Sequence, residues 1–566
     1  MKELTKTLKN PLFWVPTLYL AEGIPFNIIM GGTATRMYKS LGYSDAKITV
    51  ALGSIVVAWS LKPLWAAFLD MYRTKKFFVL SMEFLLAAIF AAISMTLPLP
   101  GFFQVSIAMF WVAAFASSTQ DICADGVYLT SLDKPSQAKL AGVQGTFWNI
   151  GKILAAGVLI SVMDKVKVAN GWPEQKMWHM VMLVGACAMG LLFVYHYFQL
   201  PTGSIANRPH SGRQVVQDFF GTAASFFHKR AFWGMIAFVF LYRFGEGLVQ
   251  MEGQLFLQSP VAKGGLGLTA GQVSSIDAIF GITATVVGGL LGGMFVSKLG
   301  LSKVLGVLGL CLNVPLFTYV YLSHAAAGGH EVSYATTVTM ISIEKFGYGF
   351  GFVGCMIYMM QQLAPGRATM THYAFATALM NFVLKPTYMI SGPLAEKLGF
   401  ATFFLVVMGA CVPSIWAAWK APFPLDRDLP QTAEGAEPSE QRVITADDPS
   451  RLDPTQRSIQ LMAGRASIYA MLNILVLLLV DTSILGSLQG QAEGTGQTQF
   501  ALLLGSTALK IFLTLLTFKH ARLASVTAQN SGWSPYLGNA RGAKIATLIC
   551  ALVSTVILVF GYKQAF

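Results

Sequence analysis

Long apolar runs alternate with short polar segments along most of the chain. A hydrocarbon core of about 30 Å needs roughly 20 helical residues, since each residue adds about 1.5 Å. Runs of that length occupy 12–33, 46–69, 77–97, 104–131, 138–163, 177–199, 231–256, 272–297, 303–323, 333–362, 370–395 and 400–419, and then 466–486, 499–518 and 543–561. This pattern predicts an all-α polytopic membrane protein with two six-helix bundles and two to three extra C-terminal helices.

The polar connections divide the chain into five segments. Residues 1–200 and 231–419 each hold six predicted spans. Residues 201–230 join them as a cytoplasmic linker, in which apolar side chains at helical spacing predict an interfacial helix. Residues 420–465 are rich in Pro, Asp, Glu, Gln and Arg, which predicts a disordered cytoplasmic linker. Residues 466–566 hold the extra helices, of which the last either spans the bilayer or lies at its surface.

Composition and charge support the membrane assignment. Hydrophobic residues make up 54% of the chain and charged residues only 12%, against about 25% charged in soluble proteins. The net charge of +13 arises from basic residues in short loops, which favours topology signals over a nucleic-acid partner. These loops place the N-terminus in the cytoplasm, with exceptions at Arg36, Lys39, Lys165, Lys167, Lys176, Lys263 and Lys397. The six cysteines lie in apolar runs without metal-binding spacing, so we expect no disulfide framework, metal or cofactor.

Ionisable residues recur at similar positions in the two predicted bundles. The matched pairs are Glu22 with Glu246, Asp121 with Glu344, and Lys152 with Lys385. Such matches predict two parallel repeats. Each ionisable group within a span costs at least about 2.5–3.5 kcal/mol on insertion scales, so it requires a partner or a water-filled cavity. Asp481 and Lys510, in the extra spans, are expected to pair with each other.

Two acidic residues of span 4 are candidate proton carriers. Asp121 and Asp125 are four residues apart and share one helix face, where like charges favour protonation of one carboxyl group. They form either a solute and proton site or a structural pair neutralised by Lys152. Arg243 and Glu246 are three residues apart, and we expect an intrahelical ion pair rather than a direct role.

Three stretches resemble the AmpG-type muropeptide permeases, which belong to the peptide/acetyl-coenzyme A/drug transporters of the major facilitator superfamily. Residues 61–70 (LKPLWAAFLD) are similar to the family's LKFLWAPLLD run, and residues 118–125 (STQDICAD) are similar to its SQDIxxD run. Residues 22–25 (EGIP) lie near the position of its GLP element. The resemblance covers roughly the first 420 residues.

The resemblance implies that the first and fourth helices of each half face a central cavity. The residues expected there are Glu22, Asp121, Asp125, Arg243, Glu246, Glu344 and Lys345, with Lys152 and Lys385 on supporting helices. The two supporting lysines either bind an anionic group of the solute or serve as counter-ions for the acids. The resemblance also assigns Lys62, Asp70 and Arg73 to a gating loop, with a simple topology signal as the alternative.

The function implied by the resemblance is proton-driven import of a small solute across the bacterial inner membrane by a monomer, with muropeptides as the family's solute. The chain departs from the family at Glu22, where a small residue is common, and at Asp70-Met71-Tyr72-Arg73, where an arginine usually follows the aspartate. Relatives with an acidic span 1 include siderophore transporters, so a different solute is one alternative. A membrane-bound transferase is another, although the sequence contains no HExxH, GxSxG or Walker motif. We expect no enzymatic activity.

Overall fold

A computed structural model of the chain describes residues 10–30, 32–62, 65, 69, 74–132, 134–202, 221, 223–365, 369–425, 452–482, 484 and 496–565. The predicted interfacial helix within 201–230 lies mostly outside these residues. The predicted gating-loop residues Asp70 and Arg73 also lie outside the described residues. Most of the linker predicted at 420–465 lies outside them as well.

The described residues include fifteen long helices. The N-terminal half contains α1 (Pro11–Ile29, continued by Thr33–Ser40), α2 (Asp45–Ile55 and Val57–Leu61), α3 (Lys75–Thr96), α4 (Phe102–Ser131), α5 (Lys134–Lys152, Ile153–Val158 and Leu159–Asn170) and α6 (Glu174–Gln199). The C-terminal half contains α7 (Phe232–Tyr242 and Phe244–Gln258), α8 (Ala270–Ser274, Ser275–Gly281 and Ile282–Leu299), α9 (Leu301–Asn313, Val314–Leu316 and Phe317–Ala327), α10 (Tyr334–Tyr358 and Met359–Leu363), α11 (Thr369–Leu398) and α12 (Phe400–Lys420). Beyond it lie α13 (Pro454–Val476 and Leu477–Asp481), α14 (Gly496–Ser531) and α15 (Leu537–Ala565).

The all-α polytopic fold predicted from the apolar pattern is confirmed. Within the described residues, 12 helices are long and apolar enough to cross a membrane, and they include α13, α14 and α15. Helices α2, α10 and α11 are not among these 12, and each of them contributes side chains to the cavity described below. The chain is a multi-pass membrane protein.

One boundary differs from the prediction. Helix α13 begins at Pro454, whereas the apolar run that predicted it begins at residue 466. The earlier start has a local cause, because Asp453 and Gln456 form a capping box that satisfies free N–H groups of the first turn. The segment that separates α12 from α13 is correspondingly shorter than predicted.

Glycines allow the helices that carry cavity residues to approach each other closely. A Cβ atom on Gly23 of α1 would lie 2.2 Å from the carbonyl oxygen of Trp148 on α5, and a Cβ atom on Gly288 of α8 would lie 2.2 Å from that of Phe346 on α10. Only glycine fits such backbone contacts. As a result α1 packs directly on α5, and α8 packs directly on α10.

The two halves meet near one end of the bundle, which we call the distal side. The proximal side is the opposite end, where α1 begins. The inter-half hydrogen bonds with both partners described include Ser161 Oγ to Gly271 O (3.1 Å), Thr269 Oγ1 to Asp164 Oδ2 (2.5 Å) and the Ala46 amide to Glu396 Oε1 (2.9 Å). These bonds join α5 to the start of α8 and α2 to the end of α11. The halves are therefore closed against each other on the distal side.

In the part of the chain that the structure describes, four π-helical turns interrupt these helices: Ile153–Val158 in α5, Ser275–Gly281 in α8, Met359–Leu363 in α10 and Leu477–Asp481 in α13. Such turns are frequent at functional sites because they shift side chains and free backbone groups. The turns of α5 and α8 contact each other, since a Cβ atom on Gly157 would lie 2.9 Å from the Ile279 side chain. They form the central part of the contact between the halves.

The last three helices form a separate unit, which we call the C-terminal unit (α13–α15). Its core is built from small side chains, namely Ala463, Ala466, Ala470, Ala521, Ala524, Ala528, Ala540 and Ala543. The predicted pair of Asp481 and Lys510 is confirmed as a buried ion pair, to which Ser506 donates a hydrogen bond of 2.6 Å. Two buried charges are thereby neutralised inside a membrane-spanning unit.

Candidate functional site

A polar cavity of about 390 Å³ lies between the two halves. Its charged lining residues are Glu22, Lys62, Asp121, Lys152, Asp277 and Lys345, its amide residues are Asn27, Asn149, Gln250, Gln254 and Asn381, and its aromatic residues are Phe26, Trp59, Trp148, Tyr348 and Tyr388. The volume is within the usual range for small-molecule sites, which is about 300–1,000 Å³. The mixture of both charges, amides and aromatic rings suits a solute with several kinds of functional group.

The acidic residues of α4 have partners from the same half. The ammonium group of Lys62 donates to Asp121 Oδ2 at 2.5 Å, so Lys62 of the predicted gating loop lies in the cavity wall. Asp125 lies one turn further along α4 and accepts a hydrogen bond of 2.9 Å from the hydroxyl of Tyr19. The structure thus places Lys62, rather than Lys152, against the acidic pair.

Lys152 presents a cation to the cavity. It is the last residue of α5 before the π-helical turn, and its ammonium group lies 4.2 Å from the centre of the Trp148 ring. Within the described residues it forms no ion pair, although it lines the same cavity as three carboxylates. The α5 backbone is fixed at this point because Asn27 donates a hydrogen bond of 2.7 Å to the Lys152 carbonyl oxygen.

A chain of alternating charges crosses from one half to the other. The Nη2 atom of Arg36, at the distal end of α1, lies 2.8 Å from Oδ2 of Asp277 on the π-helical turn of α8. The other oxygen of Asp277 lies 3.7 Å from the Lys345 ammonium, which is also 3.3 Å from Glu344. The side chain of Arg36 is completely buried. Asp277 therefore links the distal closure to the cavity.

Glu22 lies in the cavity without an ion-pair partner among the described residues. Its Oε1 atom is buried and has no hydrogen-bond partner in the described part of the chain. A carboxyl group in such a place is stable in its neutral form, because burying an unpaired charge costs several kcal/mol. Glu22 is consequently suited to hold a proton.

Two of the repeat-related partners point away from the cavity. Arg243 and Glu246 form the expected ion pair at 2.8 Å, and Arg243 also donates to the hydroxyl of Tyr348. Lys385 donates to the carbonyl oxygens of Leu478 and Leu479 in α13. The two halves thus match in sequence at these positions but differ in where the side chains lie. Glu22 and Lys152 line the cavity, whereas Glu246 and Lys385 do not.

Sequence reasoning missed several groups of this site. Asp277 is a single acid in an apolar helix, so the insertion cost that identified the other acids applies equally to it. The charge distribution of the loops makes Arg36 an exception, and the structure buries it in an inter-half ion pair. The aromatic residues Trp59, Tyr348 and Tyr388 carried no signal, because most membrane-protein aromatics pack or lie at interfaces.

Two six-helix halves that enclose a polar cavity and meet at one end are the architecture of a secondary transporter. The chain belongs to the Major Facilitator Superfamily, whose family model matches residues 17–385. This match covers both halves up to the middle of α11.

The chain is also similar to transporters that have been named. The chain is 25% identical over 414 residues to the anhydromuropeptide permease of Escherichia coli strain K12, covering 70% of this chain and 77% of that protein. It is 21% identical over 435 residues to "Putative transporter AmpG 4" of Rickettsia conorii, covering 73% and 97% respectively. The resemblance to AmpG-type permeases predicted from the motifs is confirmed.

Solved structures share the fold. The nucleoside transporter NupG matches with a TM-score of 0.52 at 15% identity, covering 71% of this chain and 97% of that one. A D-xylose-proton symporter matches with a TM-score of 0.52 at 13% identity, covering 72% and 97%. In both cases the matched part is about the length of the two halves without the C-terminal unit.

Proposed function

We propose that this protein is a proton-coupled importer of anhydromuropeptides, or of a related solute that combines sugar rings with carboxylates, in a bacterial inner membrane. The observation that carries the proposal is the Lys152 ammonium, which faces the cavity with an aromatic ring and without a carboxylate partner in the described chain. A partly buried cation in this setting favours a ligand that brings its own negative charge.

The rest of the cavity supports a solute with sugar rings. Trp59 and Trp148 offer flat apolar faces, and Phe26 lies 5.4 Å and 5.5 Å from their respective ring centres. The amides of Asn149 and Gln254 supply donors and acceptors for hydroxyl and acetamido groups. The relative in Escherichia coli is named for anhydromuropeptides, which carry sugar rings and peptide carboxylates together.

The pairing of Lys62 with Asp121 supports proton coupling. A solute carboxylate and the Asp121 carboxylate compete for the same ammonium group. Protonation of Asp121 removes this competition, so proton binding and solute binding favour each other. Asp125, one turn away, raises the electrostatic cost of two ionised carboxylates on this helix face.

We place the proximal side in the cytoplasm. Lys75 and Lys76, the first two residues of α3, lie on this side, in agreement with the positive-inside rule. Three basic residues on the distal side are exceptions to the positive-inside rule, and each has an acidic partner. The pairs are Arg36 with Asp277, Lys39 with Asp45, and Lys167 with Asp164. In this orientation the structure is closed to the outside and represents a state from which the solute leaves inward.

Uptake of radiolabelled anhydromuropeptide by a recycling-deficient host tests the proposal. Expression of the chain should restore uptake, and a protonophore should abolish it. Lys152→Met should raise KM about tenfold or more, because a charge-assisted hydrogen bond contributes about 1.5–3 kcal/mol. Lys176→Met is the matched control, since Lys176 also lies over a tryptophan (Trp172, 4.5 Å) but is exposed on the distal side.

Other results would contradict parts of this proposal. Absence of uptake despite confirmed membrane expression would contradict the muropeptide assignment, and siderophores and other anionic solutes would be tested next. Uptake that persists with a protonophore, and that Asp125→Asn leaves unchanged, would contradict proton coupling through α4.

A further inference from the structure

Glu252 is a buried acid that the solute site does not use. It lies on the distal part of α7, and the residue is 0% exposed. Neither of its carboxyl oxygens has a hydrogen-bond partner among the described residues. Its neighbours along α7, Gln250, Met251 and Gln254, line the cavity. The carboxyl group is thus enclosed between the cavity and the distal surface.

The charged groups around Glu252 come from both halves. Asp45 at the start of α2 and Lys39 at the end of α1 belong to the N-terminal half, and Glu396 of α11 belongs to the C-terminal half. Lys39 is already bound to Asp45 by an ion pair. On the other face of α7, Tyr319 of α9 packs against Gly253. Three carboxyl groups therefore lie in this region, where Lys39 is paired with Asp45 and the positive charge of Lys263 also acts on Asp45.

The exposure of the three acids decreases from the distal surface inward. Glu396 is exposed on the distal surface, Asp45 is 6% exposed, and Glu252 is completely buried. Glu396 accepts a hydrogen bond from the amide of Ala46, next to Asp45, so the contact between α2 and α11 joins the two outer acids. The series leads from distal water to the buried carboxyl group.

Closure of the distal side brings these groups together. A carboxylate without donors in an apolar enclosure is unstable, and two further carboxylates nearby increase the cost. A neutral carboxylic acid avoids both costs. When the halves separate at α2 and α11, water reaches the same group and the ionised form becomes stable.

We propose that Glu252 is a proton-binding site that couples closure of the distal side to the uptake of one proton from the distal water. The proton as coupling ion rests on the proposed function, whereas the site itself follows from the enclosure of Glu252 at the contact between the halves. At pH values where Glu252 is neutral in the closed form and ionised in the open form, closure binds one proton. The ratio of closed to open forms then increases up to tenfold for each pH unit by which the pH is lowered.

Distance measurements between spin labels test this site without any solute. The labels are placed at two exposed distal positions, Leu99 in the loop after α3 and Ala327 at the end of α9, after Cys187 and Cys311 have been replaced by Ser. In full-length protein in nanodiscs, the short-distance population should grow as the pH is lowered from 8.5 to 5.5. Glu252→Gln should give the short distance throughout this range, because the amide is never ionised.

Two controls make the outcome specific. Glu331→Gln, an exposed acid near one label, should keep the wild-type pH dependence. Replacement of potassium by sodium at constant pH should leave the distances unchanged. If Glu252→Gln fails to fold, Glu252→Asp should keep a pH dependence with a displaced midpoint.

Several results would overturn the proposal. These are a wild-type distance distribution that is independent of pH, an unchanged pH dependence in Glu252→Gln, and closure that depends on sodium. The outcome is separable from that of the uptake assay. A protein that takes up no anhydromuropeptide but closes with pH through Glu252 contradicts the proposed solute and supports this site.

Discussion

Asp277 takes part in two ion pairs that belong to different events of a transport cycle. Its pair with Arg36 joins the halves on the distal side, and its pair with Lys345 lies in the cavity wall. A solute carboxylate that attracts Lys345 weakens one pair and leaves the other intact. Through these two pairs, binding of a solute in the cavity can change the strength of the ion pair that holds the distal side closed.

Asp277→Asn is predicted to destabilise the closed form strongly. It leaves the buried Arg36 without a carboxylate, and breaking a buried pair in this way costs about 3–5 kcal/mol. The thermal midpoint of the purified protein, measured with a thiol-reactive dye, should fall clearly. Glu174→Gln removes a half-exposed partner of Lys167 and should cost no more than about 1 kcal/mol. Equal effects of the two substitutions would contradict the role of Asp277.

His228 makes stability dependent on pH at the edge of the C-terminal unit. Burial, with a smaller contribution from the positive charge of Arg465, lowers the pKa of His228 from 6.5 to about 4. The folded form therefore binds this proton less readily than the unfolded form does. The contribution to stability is complete above pH 6.5 and is lost as the pH falls toward 4, at up to about 1.4 kcal/mol per pH unit.

The measurement compares wild type with His228→Gln between pH 8 and pH 4.5. The thermal midpoint of wild type should fall more steeply below pH 6.5 than that of the variant, which has no titratable group at this position. Parallel curves for the two proteins would show that His228 is protonated without cost in the folded state.

At the scale of single residues, the sequence predicted the kinds of groups better than their partners. Insertion cost identified Glu22, Asp121, Lys152 and Lys345, all of which line the cavity. The same argument gave no means of assigning Lys62 to Asp121, because pairing between helices depends on how α2 packs on α4. Residues at the contact of the halves, such as Glu252, are recognisable only once both halves are placed.

Among the elements, α2 and α11 form a close contact between the halves on the distal side. A Cβ atom on Gly392 would lie 2.3 Å from Thr49 Oγ1 and 2.4 Å from the carbonyl oxygen of Asp45. Backbone atoms cannot move aside as a flexible side chain can. The distal closure therefore requires glycine at this position of α11.

Gly392→Val is predicted to disfavour the distal-closed form by about 1–3 kcal/mol, the usual cost of overpacking a close contact. Spin labels at Leu99 and Ala327 should show a longer mean distance than in wild type at the same pH. Gly409→Val in α12 is the control, because a Cβ atom there meets nothing within 4 Å. A lengthened distance in the control alone would contradict the assignment of Gly392 to the closure.

The pattern of apolar runs predicted the number and order of the helices, because hydrocarbon thickness imposes a length that is visible in any sequence. The interruptions within the helices were not predicted. The π-helical turns at Ile153–Val158 and Ser275–Gly281 lie at the contact between α5 and α8. A hydropathy window averages over such single-turn changes.

On the scale of the whole molecule, the C-terminal unit is attached to the C-terminal half by buried polar contacts. Lys385 donates to carbonyl oxygens of the π-helical turn in α13. Trp233 of α7 donates a hydrogen bond of 3.0 Å to Ser467, and Asn539 of α15 donates to the Lys229 carbonyl oxygen. These contacts fix the unit to α7 and α11.

Lys385→Met is predicted to weaken the attachment of the C-terminal unit. A protease site is inserted between residues 426 and 451, and the cleaved protein is purified through a tag on the N-terminal half. The released fragment should remain bound in wild type and be lost at least partly in Lys385→Met. Lys397→Met, an exposed position at the end of the same helix, should retain it. Full retention in Lys385→Met would contradict the importance of this contact.

The one-sided attachment of α13–α15 makes the two moving bodies unequal in size. One body consists of six helices and the other of nine, and the larger one displaces more lipid whenever it turns. In a viscous bilayer the larger body experiences the greater drag, so a change between conformations is carried mainly by rotation of the smaller N-terminal body. Removal of the three helices would then alter the speed of the cycle through friction while the cavity and its chemistry stayed the same.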